Sequence, residues 1–368
     1  MRPDPAARPP RSRKRCPVRP RHMLAAAAGI GMVLVTGCAG GSGSGTPVSG
    51  TITIAAAPGI DDAPLYMAQQ KGYFTAAGLN VVIKNFGTAN DELAAVEDGK
   101  AQIAAADYGN IFAEQGSLAK GNLQILADGY DPGPGNAAIM VSPAEANKIK
   151  SPKDLQGLQA IGLPSDSVIP ASGSTGAGGS STAQTGPGSL LAAAASDVMH
   201  SYLIASTDAL HWTAMPQAQE VSWLRSGQLK AALLTEPYIY QAEASFGASV
   251  LVDVFSGPTA SMPESGYVTT SSWVSGNSAA VADFQSAISR AQAQAGMVGP
   301  IQQALRALPP STGMTTAAAT MVTPGTYPTS TSVTAVFRVV TMLATPGWHG
   351  LSQQAQTEVS IRNMLVKG

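Results

Sequence analysis

Short runs of alternating or continuously apolar residues recur along the chain, separated by stretches with helical spacing. Thr51-Ile52-Thr53-Ile54-Ala55 alternates and is β-branched, which predicts a first strand. Asn80 to Lys84, Ala101 to Ala106 and Leu123 to Ala127 predict three more. Between them lie helical patterns at Ala63 to Gln70, with Pro64 in its first turn, and at Asp91 to Asp98, ended by Gly99. The turn-rich Asp131-Pro132-Gly133-Pro134-Gly135-Asn136 then leads into the apolar run Ala137 to Val141, which reads as a crossover into a second α/β unit. That unit has predicted strands at Ala160 to Leu163, Trp212 to Met215, Leu229 to Leu234 and Val250 to Val254. Its predicted helices run from Ser189 to about Ser206 and from Ala218 to Ser226. Gly266 to Thr270 predicts a strand that returns the chain to the first unit, and from Asn277 the pattern is mostly helical, clearest at Ala282 to Ala295. Strands alternating with helices imply βαβ units and mainly parallel sheets.

The first residues have another character. A basic head is followed by an apolar stretch from Met23 to about Val35. As a helix that stretch would be about 20 Å long, short of the roughly 30 Å of a bilayer core. It reads as an export signal rather than a spanning helix. The closing Val35-Thr36-Gly37-Cys38 resembles a bacterial lipobox, which implies cleavage before Cys38 and lipidation of its sulfur. An ordinary secretory signal with a chance cysteine is the alternative. The expected organisation is a signal at 1–37, a Gly/Ser tether at 38–50, a first lobe at 51–136, a second lobe at 137–270, and C-terminal helices at 271–368 that pack back on the first lobe. The tether would span on the order of 20 Å.

Removing the signal changes the charge. Of the 22 Lys and Arg residues 8 fall in 1–37, against 1 of the 23 Asp and Glu; the remaining 14 basic and 22 acidic residues net −8. Nucleic acid is excluded as a partner, because its binding needs clustered cations. The only cysteines are Cys16 and Cys38, so the folded part carries no thiol nucleophile, disulfide or Cys-ligated metal. His22, His200, His211 and His349 show no metal-ligand spacing. Neither a metal nor a cofactor is expected. The apolar content of 44% is enough for buried cores, and no apolar run after Val35 is long enough to cross a bilayer.

Several stretches taken in order resemble a known family. They are Ala63-Pro64-Leu65-Tyr66, Gly72-Tyr73-Phe74, Gly78-Leu79-Asn80-Val81, Glu97 to Ile103, Asp107-Tyr108, Asp154-Leu155-Gln156-Gly157 with Ile161-Gly162, and above all Leu224 to Tyr238. This order is similar to the solute-binding lipoproteins of ABC transporters, in the branch of sulfonate, nitrate and thiamine-precursor binders. The resemblance covers about residues 51–275. It implies an α/β fold of type II periplasmic-binding-protein architecture: two lobes, each a Rossmann-like three-layer α/β/α sandwich, joined by a hinge with two crossovers. One departure is a long Ser/Gly tract at 165–188, where members have a compact ligand loop. Ser172, Ser174 or Ser189 are then the candidates to supply that contact.

Ligands of open α/β sheets sit beyond the carboxyl ends of the strands. That rule makes Glu236, Tyr108, Asp107, Asp62 and Tyr66 the ligand-binding candidates, with Ser189 from the loop. Glu236, Asp62 and Tyr66 have structural alternatives. Glu236 could serve only as the acid at a helix start, Asp62 only as a helix cap, and Tyr66 and Trp223 as core. Arginine is scarce after the signal and falls at no predicted strand end, which tilts the ligand towards a neutral or cationic aromatic solute such as a pyrimidine. No catalytic constellation stands out. The reading is a non-enzymatic, monomeric receptor, lipid-anchored on the extracytoplasmic face of a bacterial membrane. It captures a small-molecule solute and delivers it to an ABC permease and its ATPase. The alternatives are an enzyme on the same fold, of elimination or pyrimidine-forming type, and a sensor or partner-binding lipoprotein.

Overall fold

A computed structural model describes residues 50–117, 123–165, 190–204, 210–344 and 358–366. All of them belong to one compact unit, Gly45–Gly368. The signal, Cys38, most of the tether, the 166–188 part of the Ser/Gly tract with Ser172 and Ser174, and Ser189 lie outside the described residues. No described helix is long and apolar enough to cross a membrane.

The chain begins β1 (Thr51–Ala55), α1 (Ala63–Gln70), α2 (Tyr73–Ala76), β2 (Asn80–Lys84), α3 (Ala89–Glu97), β3 (Ile103–Asp107), α4 (Tyr108–Ser117) and β4 (Leu123–Tyr130). It continues through β5 (Ala137–Val141), β6 (Ile161–Pro164), α5 (Leu190–Ser201), β7 (Trp212–Met215), α6 (Gln217–Ser226), β8 (Ala231–Thr235), α7 (Tyr238–Phe246) and β9 (Ser249–Asp253). It ends with β10 (Ser265–Thr270), α8 (Ser271–Gly276), α9 (Ser278–Ala295), α10 (Val298–Arg306), α11 (Ala318–Met321), α12 (Val333–Leu343) and α13 (Glu358–Met364).

Two five-stranded sheets result, in the orders β2-β1-β3-β10-β4 and β7-β6-β8-β5-β9. In the first, β1 runs parallel to β2 and β3, and β10 lies antiparallel between β3 and β4. The second repeats the plan, with β6 parallel to β7 and β8, and β5 antiparallel between β8 and β9. In each sheet the antiparallel strand is the one that has just crossed from the other. Residues 265–270 fall inside the 137–270 span read as the second lobe, but β10 pairs in the first sheet; the strands of the second end at Asp253.

Helix periodicity decides what covers each sheet. On α9, Ala280, Val281, Phe284, Ala287, Ile288, Ala291 and Ala295 are buried, a single apolar stripe at helical spacing. With α1 and α2 it packs over Ile52, Ile54, Ala105 and Tyr267 of the first sheet. The opposite face takes α3, α4, α12 and α13, and this core runs on through α5 onto Ile139, Ile161 and Leu233 of the second sheet. The far face of the second sheet is covered by α6 and α7.

Strand β6 shows how close that last layer is. A Cβ on Gly162 would lie 2.8 Å from Ala232 Cβ, 2.9 Å from Glu220 Oε2 and 3.1 Å from Leu229 Cδ1. Gly162→Ala is therefore expected to cost about 1–3 kcal/mol by overpacking. A denaturation midpoint equal to that of the unaltered chain would show that the strand yields instead.

The crossovers between sheets are tied down by side chains. Asn136 Oδ1 accepts from Gly133 N–H at 2.6 Å, and its Nδ2 donates to the Thr323 carbonyl at 2.7 Å. Asp253 Oδ2 accepts from Gly135 N–H at 2.9 Å, which joins the end of the second sheet to the first crossover.

Candidate ligand-binding cleft

The carboxyl ends of the parallel strands of the two sheets meet. Asp107 ends β3 in the first sheet, and α5 follows β6 in the second. Both carboxylate oxygens of Asp107 accept the Leu190 N–H in the first turn of α5, at 3.1 and 3.0 Å. Oδ1 also accepts the Asn110 N–H of α4, at 3.1 Å. One carboxylate thus meets the positive ends of two helices, one after each sheet's strand. A second bridge lies further along, where Gln241 Nε2 on α7 donates to the Gly313 carbonyl at 2.7 Å.

Tyr108, expected to present its ring or hydroxyl to a ligand, is instead fully buried. It stacks on Phe112 with centroids 5.8 Å apart, and its hydroxyl donates to Asp128 Oδ1. The reason is local: Asp107 starts α4, so the next side chain turns back under the helix rather than out of the strand. Asp128 also accepts the Ser332 N–H at 3.2 Å. Burial pushes its carboxyl up to about 6, although the Tyr108 and Ser332 bonds pull the other way.

Asp62 precedes α1 without capping it, and it is buried. Burial raises its carboxyl well above the usual carboxylate range, and Asp61 and Glu92 raise it further. Glu92, in the first turn of α3, is pushed up to about 8 by burial and by Asp61 and Asp91. Gly59 makes room for this group, since a Cβ there would fall 2.2 Å from Asp61 Oδ1. Tyr66 is half-buried at the rim, its hydroxyl 3.4 Å from the Ala56 carbonyl. Tyr327 donates to the Ile60 carbonyl at 2.6 Å and packs on Tyr130, centroids 5.3 Å apart.

Glu236 opens the turn between β8 and α7. Its Oε2 accepts the Tyr240 N–H at 3.1 Å, so it acts at the start of α7. Burial, followed by Glu243, pushes it up to about 7 against that bond. Asp131 reaches about 7 through burial and Asp128. The wall is thus acidic and tyrosine-rich. Glu92, Asp131, Tyr130 and Tyr327 were not picked out from the sequence. Glu92 carried a readable signal, an acid in the first turn of a helix beyond a parallel strand. Tyr327 carried none, because its place depends on the far C-terminal segment.

These raised carboxyls make stability depend on pH. Each takes up its proton more readily folded than unfolded, so it stabilises the fold below its unfolded value and loses that contribution as pH rises through the folded one. For Asp128, Asp131, Glu236 and Glu92 the folded values run from about 6 to about 8. The melting temperature should therefore fall between about pH 5.5 and about pH 8.5. A flat or rising profile there would show that these groups are not buried as described.

The geometry defines a class: two sheets of the same plan, joined by two crossovers, with parallel strand ends meeting. That is the periplasmic-binding-protein fold. The alkanesulfonate-binding protein SsuA from Xanthomonas axonopodis pv. citri, solved with MOPS bound, has a TM-score of 0.60 at 14% identity, over 86% of this chain and 98% of that one. The nitrate-binding protein NrtA from Synechocystis PCC 6803 gives 0.62 at 12%, over 86% of each chain. A cysteine-to-serine mutant of DszB, in complex with biphenyl-2-sulfinic acid, gives 0.55 at 15%, over 85% of this chain and 98% of that one. Within the fold, residues 60–170 match the model of the NMT1/THI5-like family. No curated protein sequence matches the chain.

Proposed function

We propose that this protein is an extracytoplasmic solute receptor of an ABC importer. It captures a small organic solute between the two sheets and hands it to a permease and its ATPase. The observation that carries this reading is the meeting of the two sets of strand ends at Asp107 and Leu190. Ligands of such sheets sit at that place, and two sets that meet can enclose one. The sulfonate- and nitrate-binding proteins of the same fold support a transport role. The candidate solutes are pyrimidine or thiamine-precursor-like compounds, sulfonates and their relatives. The lipobox-like run ending at Cys38 supports a lipid-anchored monomer on the outer face of the membrane. The absence of cysteine beyond Cys38 sets the chain apart from thiol chemistry.

A thermal-shift screen of the full chain against pyrimidines, sulfonates, nitrate, amines and amino acids tests this. A solute that binds the folded state raises the melting temperature by mass action. A rise confined to one chemical class is expected. A folded sample that responds to none of them would count against a solute receptor.

A further inference from the structure

The ends of the strands differ in what they have left to offer. The start of α5 is the kind of place that holds an anion. Here Asp107 already occupies its first N–H with both oxygens. The buried groups with unmet polar atoms near the end of β1 and α3 are of the opposite kind, acids and a phenol. Glu92 is 3% exposed and its Oε1 has no hydrogen-bond partner. Tyr267 is 0% exposed and its hydroxyl has none either, although Asp62, Asp61 and Tyr66 all lie within its electrostatic reach. Asp62 is 4% exposed, and its side chain makes no capping bond to α1, whose Leu65 and Tyr66 N–H groups bond its backbone carbonyl instead. No Lys or Arg occurs in 51–70, 85–99, 254–289 or 311–337, the segments from which Asp61, Asp62, Glu92, Tyr267 and Tyr327 come.

Buried carboxylates are normally paired. An unpaired buried hydroxyl beside them is a second, independent vacancy for a hydrogen bond. We propose that Asp62, Glu92 and the Tyr267 hydroxyl hold the positively charged end of the solute, a protonated amine or amidine, with Asp61 and Tyr66 at the rim. This rests on the receptor reading above and narrows it from small organic solutes to organic cations. A cation donates N–H to both carboxylates and to the phenol oxygen, and so pairs every vacancy at once. Tight binding requires both carboxylates ionised. Around Glu92 the charged and titratable neighbours are Asp61, Asp62, Asp91 and Tyr66, all acids; burial first, and then Asp61 and Asp91, hold its proton on near neutrality. Binding a cation therefore expels a proton.

The test is calorimetric titration of the full chain with benzylamine, benzamidine and agmatine, beside the matched benzyl alcohol and benzenesulfonate. Titrations run in two buffers of different ionisation enthalpy. Cations are expected to bind and their neutral and anionic counterparts not to, with net proton release near pH 7 and affinity rising at least tenfold from about pH 6 to about pH 8. Glu92→Gln should weaken the cation at least tenfold and reduce the proton release to the part that comes from Asp62, while the unliganded melting temperature holds or rises. If Glu92→Gln does not fold, Asp62→Asn gives the same comparison. Binding of benzenesulfonate or benzyl alcohol in preference to the amines would overturn the cation assignment and leave the receptor standing. Binding of no probe, in a chain that also fails the wider solute screen, would overturn both.

Discussion

Asp107→Ala is expected to free the first turn of α5 and to raise the exchange rate of the Leu190 amide by about 10- to 100-fold. The side chain accepts from Asn110 on one helix and from Leu190 on another, at 3.0–3.1 Å. A hydrogen bond to a charged group contributes about 1.5–3 kcal/mol, and about 1.4 kcal/mol corresponds to a tenfold change in an equilibrium. Loss of the α4 cap adds about 0.5–2 kcal/mol to the global cost. Asp107→Asn keeps an acceptor without the charge and should fall between. Hydrogen exchange by mass spectrometry resolves the two helices separately. If Leu190 exchanges at the same rate in Asp107→Ala, the carboxylate does not join the two sets of strand ends.

The second large effect is on stability. Phe284→Ala should cost about 3–5 kcal/mol. Phe284 is 0% exposed and lies parallel to Phe74, centroids 5.9 Å apart, with its edge contact to Tyr267 at 5.6 Å. Removing the ring empties the layer between α9, α2 and β10, and also frees the ring that carries the Tyr267 hydroxyl. Solute affinity should fall with stability. Phe284→Leu, which keeps most of the volume, should cost far less. Urea denaturation distinguishes the two. A loss below about 1 kcal/mol in Phe284→Ala would mean that α9 does not seat on this face.

The strands were legible because each is a short apolar run bounded by turn residues. β1 at Thr51–Ala55, β5 at Ala137–Val141 and β7 at Trp212–Met215 lie where the pattern places them, and α1 at Ala63–Gln70 likewise. Long amphipathic stripes were equally clear, as in α9, although it starts at Ser278, earlier than its strongest periodicity. The helix α4 was not read, because Tyr108 to Ser117 mixes glycine and polar residues within one apolar face. The site was legible as a place but less so in its contacts. Asp107 was readable as a strand end. Its bond to Leu190 spans 83 residues and follows from the meeting of two sheets, not from any local pattern. The same holds for Tyr108 with Asp128 and for Tyr327 with Ile60, which pair groups from separate parts of the fold.

The most direct test of the receptor reading is native mass spectrometry of the full chain after exposure to a pooled mixture of small solutes. A receptor should retain one solute at one-to-one stoichiometry and release it with its mass unchanged on denaturation. A folded chain that retains nothing, or that returns a molecule of different mass from any it was given, would contradict it.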